Sequence, residues 1–397
     1  VTLTKLKKLC SICKILYLCF VLKAFKYRIT PTHKQTILLN KHIGSARFIY
    51  NLALETKQMA YAGNRINLDC FALIKQLPDL KKECEWLKEI NSQSLQQPIR
   101  NLDNAFTRFF KGQGNFPNFK KKSTGGSFNI PQNIILENDK LIIPKFKEGI
   151  DIILHRPIKG TIRQTTISRT PTGKYFASIL CETNTGCKAK NKIKESKTVG
   201  IDLGIKTFIV TSDGKEFDNP KFLKKQLARL KYTQQRFSKY KGKRTKRRLA
   251  ILHEKVSNQR KDFLHKVSSE LLKNHDSIAI ETLQVANMLK NHKLAQSIQD
   301  AGWGMFNDFL KYKAEWYGVN ILEIGTFEPS SKTCSCCGAI KKELTLQDRE
   351  WACKSCGTLL NRDVNAAINI KNFALKNHLS VERRLKNHGQ LPTLVGA

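Results

Sequence analysis

The sequence predicts an α+β protein of more than one domain, and three observations carry that expectation. Short β-rich runs recur between Phe128 and Cys181, and stretches of helical spacing lie on both sides of them. A polar, lysine-rich segment from Thr183 to Lys197 separates two halves of different composition. A chain of 397 residues, 41% hydrophobic and 9% aromatic, exceeds one ordinary core and suffices for two or three.

Residues 1–21 read as an N-terminal extension. Leu9 to Leu22 is almost wholly apolar and follows Lys5, Lys7 and Lys8, which resembles a signal peptide, but no small-residue cleavage site follows. A helix of that length spans about 20 Å, short of a ~30 Å hydrocarbon core, so no membrane partner is expected. Cys10 and Cys13 form a lone CxxC without a second pair nearby, which argues against a metal site.

From Leu22 to Ile29 the alternation is that of a strand, broken at Thr30-Pro31-Thr32. Helical spacing follows as far as Lys111. Leu38, Leu39, Ile43, Phe48 and Leu52 mark one side, and Leu95, Ile99, Leu102, Phe106 and Phe109-Phe110 a later one. Gly112 to Gly126 is a glycine-rich loop carrying Lys120, Lys121 and Lys122, which either lies in solvent or tracks a phosphate backbone. Strands are expected at Lys140–Ile143, Ile150–Leu154, Thr161–Ser168 and Tyr175–Cys181, spaced as in a small barrel or sandwich closed by the early strand. On this reading residues 22–30 and 124–183 form the β domain, and 31–123 are a helical insert.

In the second half, Thr198–Leu203 and Phe208–Thr211 read as paired strands with a turn at Ser212-Asp213-Gly214. Two long helical segments follow, one striped by Leu223, Leu227 and Leu230, the other by Leu252, Val256, Phe263, Val267 and Leu271.

Charge narrows the function. The 70 Lys and Arg against 32 Asp and Glu give a formal +38, which points to a polyanionic partner, nucleic acid above all. Between Lys221 and Lys266 there are 17 basic and 2 acidic residues, with Tyr232, Phe237 and Tyr240 interleaved. A solvated helical face would mix signs to gain i,i+4 pairs, and this one does not. Arg244, Lys246, Arg247, Arg248 and Arg260 are therefore candidate backbone contacts, together with the loop lysines.

Twelve cysteines are few for a disulfide scaffold in a chain of this length, and five of them crowd between Cys334 and Cys356, which is a metal pattern. Cys334, Cys337, Cys353 and Cys356 form C-x2-C-x15-C-x2-C, and a glycine follows each pair, which allows the tight turn of a knuckle. Four thiolates close a tetrahedral site, so the expected metal is structural Zn2+. Cys336 has the wrong spacing for a knuckle and is expected to be a free thiol.

Three carboxylates stand where a strand ends or a helix begins. Asp202 lies in the apolar run Val199-Gly-Ile-Asp202-Leu-Gly204, Glu281 ends Ser277-Ile-Ala-Ile280, and Asp363 precedes the helical Val364-Asn-Ala-Ala-Ile368. Asp363 alone is explained by N-capping. Asp202 and Glu281 are harder to explain that way, because a carboxylate in or beside a buried strand is costly without a cation or a donor. A cluster of three relieves the cost by holding Mg2+, or Mn2+ in its place, and such ions hydrolyse phosphodiesters.

Several segments resemble the TnpB family of insertion-sequence proteins and the related type V CRISPR effectors. They are Val199-Gly-Ile-Asp202-Leu-Gly-Ile-Lys206, Ile278-Ala-Ile-Glu281-Thr-Leu283, Ser330-Ser-Lys-Thr-Cys334, Leu346-Gln-Asp-Arg-Glu-Trp-Ala-Cys353 and Asn361-Arg-Asp363-Val-Asn-Ala-Ala. Leu22–Ile29, Phe116–Lys121 and Arg260–Lys266 fit the family's opening, middle and basic helix; only residues 1–21 fall outside. The resemblance implies an N-terminal β-barrel (wedge) domain with an inserted helical recognition lobe. An RNase H-like, RuvC-type α/β nuclease domain over 198–397 follows, carrying a zinc ribbon at 330–360. It also implies the triad Asp202, Glu281 and Asp363, a non-coding guide RNA from the transposon end, and cleavage of double-stranded DNA beside a short motif. A bacterial cytoplasmic location, at the nucleoid when bound to DNA, goes with it. Two other readings stand beside this one: a strand-transferring transposase on a similar carboxylate fold, and a non-catalytic guided repressor.

Overall fold

The computed structural model describes residues 21–122, 125–183, 188–326, 328–345 and 348–387. The Leu9–Leu22 stretch, save its last two residues, and the Cys10/Cys13 pair lie outside them, as do Leu346-Gln347. The chain divides into two compact units, the first ending at Gly186 and the second starting at Cys187. Among the described residues no helix is long and apolar enough to cross a membrane.

The first unit is built on a seven-stranded antiparallel sheet. β1 (Val21–Thr30) sits at its centre, between β7 (Tyr175–Thr183) and β5 (Phe146–Ile153). Outward from β7 come β6 (Thr161–Arg169) and β2 (Gly126–Ile130), and outward from β5 come β4 (Lys140–Ile143) and β3 (Ile135–Glu137). The period-2 alternation turns Phe25, Tyr27 and Ile29 of β1 into one core with Ile167, Ala177, Ile179 and Ile150. No ladder joins β2 to β3 among the described residues, so the hydrogen bonding alone leaves the sheet open.

Between β1 and β2 the chain forms α1 (His33–Asn64), α2 (Cys70–Lys75), α3 (Leu77–Glu83), a 3-10 turn at Glu85–Glu89 and α4 (Ser92–Phe110). A capping box starts α1: Thr32 Oγ1 accepts from the Gln35 amide at 3.3 Å, and Gln35 Oε1 accepts from the Thr32 amide at 3.0 Å. The first half of α1 packs on the sheet through Leu39 and Ile43. Its second half builds a separate helical core from Ile49, Leu54, Leu87, Leu95, Ile99 and Leu102. Phe48, expected on the buried stripe, instead stands part-exposed against Trp86, because the stripe runs through Ala46, Tyr50 and Ala53.

The second unit centres on a five-stranded sheet in the order β10-β9-β8-β11-β12. β8 (Thr198–Leu203) pairs antiparallel with β9 (Thr207–Thr211), and β9 turns at Ser212–Gly214 into β10 (Glu216–Asp218). On the other side β11 (Ser277–Glu281) lies parallel to β8, and β12 (Asn320–Ile324) parallel to β11. Parallel strands need both faces covered, which is why Val199, Ile201 and Ile278–Ile280 read as continuous apolar runs. One face is covered by α6 (Lys243–Asn274) and α9 (Trp303–Tyr317), with α5 (Phe222–Tyr240) and α8 (His292–Ala301) beside them and the short α7 (Val285–Met288) before α8. The other face takes α10 (Arg362–Asn387), whose Ile370 and Ala374 pack on Ala279 and Ile324.

That last contact is unusually close. A Cβ on Gly200 would stand 2.0 Å from the Ala367 carbonyl oxygen and 2.8 Å from the Lys371 amide, so backbone rests on backbone. Gly200→Ala should destabilise the second unit by about 1–3 kcal/mol, since neither backbone can yield freely. Gly44→Ala, on α1 where nothing lies within 4 Å, should be neutral or stabilising by up to about 1 kcal/mol. Denaturant unfolding of both variants checks the pair; equal effects would mean the helix is not held by this contact.

Candidate functional site

Asp202 and Glu281 occupy corresponding places on neighbouring parallel strands, near the C-terminal ends of β8 and β11. That end of a parallel sheet is where α/β folds form their crevices. Asp363 arrives from the opposite direction, in the first turn of α10, four residues before the Ala367 that rests on Gly200. One helical turn thus separates the packing contact from the carboxylate.

Asp202 senses the other two carboxylates. Burial pushes the Asp202 carboxyl up to about 7, and the charges of Asp363 and Glu281 add to the rise; the Arg362 guanidinium and the Leu203 amide oppose it without cancelling it. Burial also raises Glu281. The surface of Asp202 is part-exposed, so its carboxyl is densely enclosed yet reachable. Arg349 Nη1 lies 3.2 Å from Asp363 Oδ2. Among the described residues the carboxylates are not drawn together as tightly as the four thiols, whose ligand atoms all lie within 4.8 Å of one another.

Asp363 is not the cap of its helix. Asn361 does that work, its Oδ1 accepting from the Asp363 amide at 3.1 Å and the Val364 amide at 3.2 Å. The structural explanation for Asp363 is thereby withdrawn, and its carboxylate is left to face Arg349 and Asp202.

The cysteines meet as their spacing requires. Cys334 Sγ is 3.7 Å from Cys356 Sγ, and Cys337 Sγ is 3.6 Å from Cys353 Sγ. Sulfurs about 2.3 Å from a tetrahedral ion stand about 3.8 Å apart, so the four thiols fit a metal centre. Gly338 and Gly357 hold φ of +77° and +74° and donate back to the Cys334 and Cys353 carbonyls, which turns each knuckle inward. Cys336 is exposed and stands apart from the four. The hairpin β13 (Glu350–Ala352) and β14 (Leu359–Asn361) carries the second knuckle straight into α10.

Sequence reasoning missed the clamp that joins these parts. Asn365 and Asn369 are buried on one face of α10, at the i,i+4 spacing. Asn369 Nδ2 donates to the Ser330 and Thr333 carbonyls at 2.7 and 2.6 Å. Asn365 Nδ2 donates to the Thr333 carbonyl at 2.8 Å, while its Oδ1 accepts from the Ser335 amide at 2.9 Å. Two asparagines interrupting an apolar helical stripe were the available signal.

The basic candidates divide. Arg244, Lys246, Arg247 and Arg248, at the start of α6, are exposed, and Tyr232 and Tyr240 of α5 are exposed as well. Arg260 is a correction: it faces inward, its Nη2 3.1 Å from Asp300 Oδ1 and its Nε donating to the Asp300 carbonyl at 2.8 Å. The same Asp300 carboxylate accepts from the Leu223 and Lys224 amides at the start of α5. Arg260 therefore ties α5, α6 and α8 together and is not a surface contact. In the first unit, Lys120 is exposed with its ammonium 3.8 Å from the Tyr50 ring centroid, and its backbone is pinned by the Asn51 amide side chain. Lys121 and Lys122 follow it on the exposed loop.

These features define a class: a strongly basic protein with a carboxylate cluster and a four-thiol knuckle on one α/β unit. Known proteins resemble this chain. A family model described as "Probable transposase" matches residues 178–292, one described as "Cas12f1-like, TNB domain" matches 303–370, and a "Helix-turn-helix domain" matches 21–65, a span that here holds β1 and α1. A "Putative RNA-guided DNA endonuclease" of Streptomyces pristinaespiralis is 38% identical over 88% of this chain and 89% of its own length. The "Putative RNA-guided DNA endonuclease InsQ" of Escherichia coli K12 is 31% identical over 88% and 91%. The fold is similar to Cas12f1 in its complex with sgRNA and target DNA, with a TM-score of 0.55 at 16% identity over 86% of this chain and 83% of that one. The chain belongs to the TnpB family.

The raised Asp202 carboxyl has a measurable consequence. In metal-free buffer its protonated form stabilises the fold below the unfolded value near 4, and that stability is lost as pH rises through about 7. Asp202→Asn should remove the loss, so its melting temperature should exceed that of the parent by roughly 3 °C or more at pH 8 and by less at pH 5. A difference independent of pH would mean that the cluster is not under this strain.

Proposed function

We propose that the chain is an RNA-guided DNA endonuclease of a transposable element, with Asp202, Glu281 and Asp363 as its catalytic carboxylates. The observation that carries this reading is the placement of Asp202 and Glu281 at the C-terminal ends of β8 and β11, with Asp363 near enough for its charge to add to the rise of the densely enclosed Asp202. Three antiparallel strands followed by two parallel ones, with a helix on each face, is the order of an RNase H-like, RuvC-type domain, which we assign to residues 198–397 with a ribbon at 330–360. Residues 22–30 and 124–183 would be the wedge barrel, and 31–123 the recognition lobe. The relatives' names supply the guided reaction.

The carboxylates fit a divalent ion, Mg2+ or Mn2+, because a cation among them would offset the burial, and the neighbouring charges, that raise Asp202. Such an ion activates water and stabilises the leaving oxygen of a phosphodiester when bound. Arg349 holds the Asp363 carboxylate at the cluster, and the Asn361 cap fixes the helical turn that carries it. Arg244, Lys246, Arg247 and Arg248 present exposed positive charge to a backbone, as do the loop lysines 120–122. Cys334, Cys337, Cys353 and Cys356 would hold Zn2+, a closed set with a structural role.

The family model described as a transposase favours a second reading, strand transfer without a guide. One experiment separates the two. The chain is co-expressed with its flanking transposon-end RNA carrying either of two guide segments, and each complex is challenged with a plasmid library. Cutting should move to whatever DNA matches the new segment, beside the same short motif. It should vanish in Asp202→Ala, Glu281→Ala and Asp363→Ala while gel-shift binding persists. Guide-independent cutting, or end joining without RNA, would sink the guided reading.

Elemental analysis of the purified chain should find about one zinc. Cys353→Ser should lose it and unfold more readily, whereas Cys336→Ser should keep it.

A further inference from the structure

At the far end of the helical insert lies a groove of about 610 Å³ that the proposed reaction leaves unused. Its walls come from the last turns of α1 (Lys57, Gln58, Tyr61), the following loop (Ile66, Asn67), the end of α4 and the loop after it. The apolar part is a nest of rings. Phe106 and Phe110 are roughly parallel at 6.2 Å, and Phe116 meets Phe106 and Phe109 edge-on at 5.5 and 5.3 Å. Phe110 is 76% and Tyr61 54% exposed, which is an odd place for large rings unless something flat covers them.

Two further features say what would cover them. Gln58 and Asn67 line the groove with side-chain amides that make no hydrogen bond among the described residues, and the Asp103 carboxylate beside them has no ion pair there. The rim is cationic: the Lys57 ammonium lies over the Phe106 ring at 5.3 Å, the Arg65 guanidinium lies over the Tyr61 ring at 5.1 Å, and Arg108 and Lys111 are exposed. Stacking faces, spare donors and acceptors at their edge, and positive charge around them match an unpaired nucleotide: ring face, Watson–Crick edge and phosphate in turn. The size suits one base and its sugar.

We propose that this groove binds an unpaired base of the chain's RNA, stacked on Phe110 and Tyr61 and read along its edge by Gln58, Asn67 and Asp103. The choice of RNA rests on the proposed function. There the DNA is offered as a duplex, whereas a structured RNA presents splayed bases in its loops permanently. Asp103 favours a base whose edge carries an exocyclic amino group, guanine, cytosine or adenine, over uracil, which offers only its N3 hydrogen.

The test is binding by the full chain freed of nucleic acid in high salt, with a short single-stranded RNA, its duplex, and the DNA strand of the same sequence as probes. Phe110→Ala should weaken single-stranded RNA binding by roughly fivefold or more and leave the duplex unaffected. Phe110→Trp should restore it. The salt slope should not change, because no phosphate contact is removed. Asn67→Ala should narrow the preference among rG, rC and rU oligomers without abolishing stacking. The proposal is overturned if single-stranded RNA binds Phe110→Ala and Tyr61→Ala as tightly as the parent, if duplex binding falls equally, or if only the DNA strand is affected. Because no cleavage is read, failure of the guided-nuclease reading would show in the plasmid assay and not here.

Discussion

The second unit depends on one place where a side chain is missing. Gly200 lets α10 lie directly on β8, backbone against backbone, with the Ala367 carbonyl where a Cβ would be. Its register partner on the adjoining strand is Ala279, so the helix rests on the shallowest part of the sheet. Two residues along β8 is Asp202, and one turn back along α10 is Asp363. The separation of the two carboxylates is thus set by a contact that neither of them makes. Glycine is required for the space it leaves empty rather than for a special φ.

Electrostatics then sets the character of the site. A chain with a formal +38 keeps three of its few carboxylates in one crevice and encloses one of them until it resists ionisation near neutral pH. Elsewhere in the same unit a buried acid is fully provided for: Asp300 is 8% exposed, yet Arg260 and the amides at the start of α5 surround it. The contrast separates a structural carboxylate from the proposed catalytic one better than burial alone. Asp300 has its positive partners built in, whereas Asp202 has a like-charged neighbourhood that the Arg362 guanidinium and the Leu203 amide do not cancel.

What the sequence made legible follows the range of the interactions involved. Strands, long helices and cysteine knuckles are read from spacing within a few residues, and β4, β8 and the stripe Leu252, Val256, Val267 and Leu271 lie where periodicity puts them. Arg260 was misread because a basic run looks uniform in sequence, while the inward turn of one member depends on Asp300, 40 residues away. Asp363 was given the cap because the position favours Asp, but Asn361 stood two residues nearer the true boundary. Arg349 was invisible for the same reason as Arg260, and the Asn365–Asn369 clamp showed only as two asparagines in an apolar stripe, since each acts on a segment that only the fold brings near.

The clamp and the arginine together change what the cysteine centre is for. Asn365 and Asn369 hold the segment leading into Cys334 against α10, and the Arg362 amide donates to the Arg349 carbonyl at 2.8 Å, where the hairpin enters the helix. Arg349 leaves that hairpin to reach Asp363. A knuckle that folds only when its thiols are filled would therefore do more than stabilise a small appendage, because the residue that holds a proposed catalytic carboxylate immediately precedes its strand β13. The four thiols and the three carboxylates are separate sites by chemistry. The hairpin of the second knuckle runs into the helical turn that carries Asp363, so the order of the first would be a condition for the geometry of the second.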